Sequence, residues 1–246
     1  MVHLVLTGAT GLVGSGVLDA MLAMQNVTKI SIISRRPVAM AKGTDKTEVI
    51  LKEDFGKWDA GEEALTRIRD AKGIVWALGV SQNDVDKEKY IEITKDYPIK
   101  FIEAFAPKSP FNFVYVSGEG ATLTPGVFTP IFGRVKGETE AAILEQHKRN
   151  PELKAFSVRP AMVDETDHPA IHEYVPRRPA YQRVLRPVLF PTTKMLLSGF
   201  HSPTKPLGRW MAELAAGDGR PLDGAGVEGD GRTISNKGFR RLAGLD

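Results

Sequence analysis

The sequence contains no cysteine. That excludes disulfides, thiolate nucleophiles and thiolate metal ligands, and it suits a reducing compartment. No apolar run is long enough to span a bilayer. There is no Gly-x-Ser-x-Gly, so a nucleophile-elbow hydrolase is unsupported, and no Gly-Lys-Ser/Thr, so a phosphate-loop ATPase is unsupported too. Neither sign of charge dominates, with a net charge of +3. The basic pairs Arg35-Arg36, Lys148-Arg149, Arg177-Arg178 and Arg240-Arg241 never extend into a block or alternate with aromatics, which argues against a nucleic-acid partner. A first apolar run that begins at Val2 leaves no room for a cleavable leader, so a cytoplasmic address is expected.

What is present begins at once. Val2 to Leu6 reads as a buried parallel strand, and Leu12 to Met24 reads as a helix. Between them lies Thr7-Gly8-Ala9-Thr10-Gly11-Leu12-Val13-Gly14. Gly8 lets the chain turn sharply off the strand, Gly11 lets backbone approach a pyrophosphate, and Gly14 lets the helix sit close to the sheet. The free N–H groups and the positive end of the helix dipole favour phosphate at that point. A glycine triplet alone is weak evidence. In a strand–turn–helix context it points to a dinucleotide cofactor.

Apolar runs and helical patterns alternate through the first two-thirds of the 246 residues. Strands are expected near Val2–Leu6, Lys29–Ile33, Glu48–Leu51, Ile74–Ala77, Asn112–Val116 and Ala155–Val158. Helices are expected near Leu12–Met24, Glu62–Arg69, Asp86–Ala106 and Phe132–His147. Strands separated by helices predict an α/β fold with a doubly wound parallel sheet of Rossmann type, its ligands beyond the carboxyl ends of the strands. One domain over 1–246 is expected, with a dinucleotide-binding core at 1–163 and a substrate-side and C-terminal segment at 164–246. In that segment Pro169, Pro176, Pro179, Pro187 and Pro191 predict irregular chain with short helices. A helix is expected at Lys205–Ala216 and a Gly-rich loop at Gly217–Gly231.

The second strand ends in Ser34-Arg35-Arg36. An acid there would bind both ribose hydroxyls of NAD; two guanidinium groups instead suit a 2′-phosphate, so NADP is the expected cofactor. Asp54-Phe55, just after the third strand, is a candidate adenine edge, although an Asp-aromatic pair after a strand is often only a turn.

Taken together, the Thr7–Gly14 turn, Ser34-Arg35-Arg36, Asp54-Phe55, Ala77-Leu78-Gly79, Val116-Ser117, Val135-Lys136-Gly137-Glu138 and Val158-Arg159-Pro160 resemble the atypical short-chain dehydrogenase/reductase superfamily. The likeness is greatest to its Tat-interacting oxidoreductase-like branch and covers most of residues 1–163. It implies nicotinamide cofactor contacts from Thr7, Gly8, Thr10, Gly11, Leu12, Val13, Gly14, Arg35, Arg36, Asp54, Phe55, Ala77, Leu78, Gly79 and Lys136. It also implies a catalytic set in which a serine orients a carbonyl, a tyrosine moves the proton, and a lysine four residues later holds the ribose. Ser117 matches the serine and Lys136 the lysine.

The tyrosine is missing. Phe132 stands four residues before Lys136 and has no hydroxyl for acid–base work. Tyr90, Tyr97, Tyr115, Tyr174 and Tyr181 are followed four positions on by Thr94, Phe101, Glu119, Arg178 and Leu185, so no Tyr-x-x-x-Lys exists anywhere in the sequence. Three readings stay open. Lys136 or Tyr181 carries the proton in an NADP-dependent reduction of a small carbonyl or conjugated substrate; the pocket does non-redox chemistry such as isomerisation or cyclisation; or the protein is a silent, NADP-sensing interaction module. The first is the leading expectation, with a small-molecule substrate.

Other features read blandly. His168 and His172 are expected to be solvated loop histidines rather than metal ligands, with Pro169 between them. His3 is expected to be a satisfied core or edge residue, and His147 and His201 carry no pattern. Lys87, Glu88, Lys89, Glu92, Lys95 and Asp96 make a solvated helix face. The equivalent helix in the resembled superfamily often pairs subunits, which leaves a homodimer open.

Overall fold

The computed structural model describes residues 1–175 and 198–246. The leading strands and helices alternate as β1 (Val2–Thr7), α1 (Leu12–Ala23), β2 (Val27–Ser34), β3 (Thr47–Leu51), α2 (Glu63–Thr66) and β4 (Gly73–Trp76). Then come α3 (Lys87–Ile91), a π turn (Glu92–Asp96), α4 (Tyr97–Phe105), β5 (Phe111–Val116), α5 (Ile131–Arg149) and β6 (Leu153–Val158). The tail supplies β7 (Met162–Asp164), β8 (His201–Pro203), α6 (Thr204–Ala216), β9 (Val227–Glu228), β10 (Thr233–Ile234) and α7 (Asn236–Leu242). Eight strands form one sheet in the order β3-β2-β1-β4-β5-β6-β10-β9, parallel except for the β9–β10 pair; β7 and β8 pair separately. This is the expected doubly wound α/β fold. The order reverses between β1 and β4, which places a crevice at the carboxyl ends of these two strands.

The central strands are buried along almost their whole length, and largely apolar, because helices cover both faces. Leu4 and Leu6 enter one core with Val17, Val75, Val114 and Met211; Val5 enters the other with Ile33, Ile74, Trp76, Phe101 and Phe113. Neighbours on a strand point to opposite faces, so one run feeds both cores.

The first core depends on the tail. Helix α6 lies across α1 so closely that a Cβ on Gly208 would sit 2.2 Å from the Gly16 carbonyl oxygen. Asn112 of β5 donates from Nδ2 to the carbonyls of Ala215 and Gly217, each at 2.9 Å, and so holds the end of α6. Strand β10 pairs with β6. Elements beyond residue 163 therefore help build the sheet and its cover.

Several local expectations change. The helix expected over Asp86–Ala106 is interrupted by the π turn, where the Thr94 carbonyl accepts from the buried Tyr115 hydroxyl at 3.2 Å. The helix expected over Glu62–Arg69 shrinks to Glu63–Thr66. The loop Gly217–Gly231 contains β9. His168 is not solvated: it is buried between Asp19 of α1, whose Oδ2 lies 2.9 Å from Nε2, and Thr204 of α6, whose Oγ1 lies 3.0 Å from Nδ1. His172 is exposed, with Nε2 at the Glu165 carbonyl. His3 is a satisfied core residue between Asp70 and Ser31, and burial lowers its pKa. Tyr181, Arg177-Arg178 and the prolines at 176, 179, 187 and 191 lie outside the described residues.

Candidate active site

The glycine turn closes on itself. Gly8 has φ of 70°, the left-handed region that glycine tolerates, and a Cβ there would lie 2.3 Å from the Ala77 carbonyl oxygen. A Cβ on Gly14 would lie 2.1 Å from the Gly8 carbonyl oxygen, so this glycine admits the turn itself to the helix rather than the helix to the sheet. Gly11 is the N-cap of α1 and donates its N–H to Gly8 at 2.9 Å. No side chain caps α1 and no acid sits in its first turn, so Leu12, Val13 and Gly14 begin a helix end suited to an anion. Leu78 N–H donates to Thr7 Oγ1 at 3.3 Å, tying Ala77-Leu78-Gly79 to the end of β1.

Beside this turn, Gly8, Thr10, Ser34, Arg35, Arg36, Phe55 and Leu78 help line a cleft of about 380 Å³. Arg36 donates from Nη2 to Thr10 Oγ1 at 3.2 Å. Among the described residues neither Arg35 nor Arg36 has a carboxylate partner, so both charges are available to an anion. Phe55 reaches the cleft, although its ring is mostly spent in the core against Trp58, Trp76 and Tyr97. Asp54 is not part of the lining. It is exposed and accepts the Gly56 N–H at 2.8 Å, which lowers its pKa; this is the turn alternative. Uncapped helix, close backbone turn and unpaired arginines together fit a phosphorylated dinucleotide.

A second cavity of about 630 Å³ joins the start of α1 to the ends of β5 and β6. Val13, Val116 to Gly120, Phe132, Lys136, Pro160 to Val163 and Phe200 line it. The structure thus brings Ser117, Lys136 and Phe132 together, with Phe132 one helical turn before Lys136 on the same cavity wall. The loop after β5 rests directly on α5 because a Cβ on Gly137 would lie 2.1 Å from the Thr122 carbonyl oxygen. That contact explains the glycine in Val-Lys-Gly-Glu. Phe132 N–H donates to Gln82 Oε1 at 2.9 Å, which fixes the start of α5.

Lys136 Nζ donates to the Ser117 carbonyl at 2.6 Å and the Val116 carbonyl at 3.4 Å. Burial lowers its pKa to about 8, with the charge of Glu140 pulling the other way. The Ser117 hydroxyl donates to Glu140 Oε1 at 2.5 Å. Arg159 grips the same carboxylate with Nε at 2.9 Å from Oε1 and Nη2 at 2.6 Å from Oε2, then reaches Glu228 with Nη1 at 3.1 Å. Glu140 went unnoticed in the sequence; its one signal was its place four residues after Lys136, on the same helix face. Glu119 accepts the Asn236 N–H at 2.9 Å and so anchors the start of α7, while Glu138 pairs with Lys95 on the surface.

The sequence matches the NAD dependent epimerase/dehydratase family over residues 4–128. It is 34% identical to the leucinostatins biosynthesis cluster protein T of Purpureocillium lilacinum, over 97% of this chain and 94% of that protein. It is 48% identical to the botcinic acid biosynthesis cluster B protein 16 of Botryotinia fuckeliana, over 55% of this chain and 87% of that one. A short chain dehydrogenase family protein from Francisella tularensis has a similar structure, with a TM-score of 0.64 at 14% identity, covering 98% of this chain and 99% of that one. Among the described residues no helix is long and apolar enough to cross a membrane.

Proposed function

Since the chain belongs to the NAD dependent epimerase/dehydratase family, we propose that it is an NADP(H)-dependent reductase of a small carbonyl or conjugated substrate, with Lys136 as its proton carrier. The observation that carries this reading is the single cavity shared by Val13, at the start of the cofactor-binding helix, and Lys136. The dinucleotide would lie along Gly8, Thr10, Gly11 and the first turn of α1. Arg35 and Arg36 would hold its 2′-phosphate.

A nicotinamide held there would supply a hydride for the carbonyl carbon. The residues do the rest. Lys136 in its ammonium form hydrogen-bonds the reacting oxygen and gives it a proton, and the neutral amine is recharged from solvent. Its pKa of about 8 keeps a substantial charged fraction at neutral pH while making the proton easier to release. Ser117, with its proton committed to Glu140, holds the end of β5 whose carbonyls fix Lys136. Val116, Phe132 and Val163 give the site an apolar wall.

Reduction with NADPH deuterated at the transferred C4 position tests the reading: deuterium in the product carbon supports it. Bound NADPH with no transfer to any carbonyl or enone would favour the silent sensor, the reading that Phe132 supports by its missing hydroxyl. A homodimer through the α3–α4 face and a cytoplasmic address remain part of the proposal, read by light scattering and cell fractionation.

A further inference from the structure

We infer that the substrate is an apolar molecule with one carbonyl, not a sugar or other polyol. This rests on the reductase reading and specifies its substrate class. Among the described residues the 630 Å³ cavity has three polar side chains, Ser117, Glu119 and Lys136. Ser117 and Lys136 are largely committed, and Glu119 has one of its two carboxylate oxygens taken. Ser117 donates to Glu140, Glu119 accepts from Asn236, and Lys136 donates to two main-chain carbonyls. Lys136 has a third N–H, enough for one oxygen.

The remaining wall is apolar, formed largely by Val13, Phe132, Met162, Val163 and Phe200. Hydroxyls of a polyol turned to that wall find no side-chain partner on it, at a cost of up to roughly tenfold in affinity for each one cut off from water. A hydrocarbon chain meets no such cost. Phe200 lines the cavity and is also 58% exposed, so it carries the apolar surface out to solvent. A chain longer than the cavity therefore still gains contact there. One oxygen is held at Lys136, and the rest of the molecule is recognised by area and shape.

The test is a calorimetric titration of the full chain, with and without saturating NADP+, using a homologous series of straight-chain 2-alkanones and, separately, UDP-glucose. Affinity is expected to rise about fourfold per added methylene. UDP-glucose is expected not to bind beside NADP+. Phe200→Ser, at an exposed position, should flatten the gain in affinity along the longest ketones.

A flat dependence on chain length, no ketone binding in either state, or UDP-glucose binding more tightly than every ketone would each overturn the inference. The two arms separate it from the cofactor reading. A chain-length gain without any NADP+ binding keeps the apolar cavity and removes the cofactor. NADP+ binding with a flat ketone series keeps the cofactor and removes the apolar substrate.

Discussion

The Ser117 hydroxyl donates to Glu140 at 2.5 Å, and that bond takes away the proton a serine would offer a reacting oxygen. The serine's place in the chain fits the resembled superfamily, but its hydroxyl faces a carboxylate held by Arg159. Ser117→Ala should therefore lower turnover by less than about tenfold, the scale of one lost hydrogen bond. A loss of a hundredfold or more would return Ser117 to the orienting role. Removing the carboxylate should cost far more in stability. Glu140→Ala leaves Arg159 largely buried with only Glu228 as partner, and urea denaturation should show a loss of about 3–5 kcal/mol.

Lys136 should govern the pH dependence. Its folded pKa of about 8 lies below the model-peptide value of 10.5, so the acid form needed for proton donation fades as pH rises through about 8. The rate should fall on the alkaline side of that value. Stability should move the other way: between about pH 8 and 10.5 the unfolded chain binds the extra proton, so this lysine alone makes the fold more stable as pH rises. Lys136→Ala should cut turnover by about 10²–10⁴ while leaving the adenosine half of the nucleotide bound. Full activity in that variant would remove the proposed role.

Phe132 borders the same cavity as Lys136, one turn earlier on α5. Phe132→Tyr places a phenol where proton transfer is needed and should raise kcat with simple carbonyl substrates. Unchanged kcat beside unchanged NADPH affinity would show that the missing hydroxyl does not limit the reaction.

The α1–α6 crossing tests the fold beneath the site. A methyl group on Gly208 would strike the Gly16 main chain, which cannot swing aside as a side chain could. Gly208→Ala should destabilise by about 1–3 kcal/mol and weaken NADPH binding with it, because α1 carries the end proposed to bind the phosphates. A thermal melt matching the parent protein would contradict so tight a crossing.

What could be read in advance followed from local rules. The sheet was legible because strands buried on both faces are continuous apolar runs, and the Gly8–Gly14 turn because close backbone approach demands glycine. Lys136 was marked by the resemblance of Val135-Lys136-Gly137-Glu138 to the superfamily's lysine segment. Glu140 was not, since a buried carboxylate is understood only with its partner, and Arg159 lies just beyond β6, outside the helix that carries Glu140. His168 misled for the same reason: its partner Asp19 is 149 positions away. Strands β9 and β10 are two residues each, too short to show a period. At the π turn the Thr94 carbonyl meets the Tyr115 hydroxyl, a contact no propensity encodes.

Cofactor choice is the most direct test of the whole account. Arg35 and Arg36 line one cleft with Thr10 and Gly8, and neither has a carboxylate partner among the described residues. Calorimetric titration of the purified protein with NADPH and NADH should give binding at least about tenfold tighter for NADPH, as charge-assisted contacts to one phosphate imply. The Arg35→Ala/Arg36→Ala double variant should abolish the difference by weakening NADPH alone. Equal affinities in the parent protein, or no binding of either nucleotide, would contradict the account.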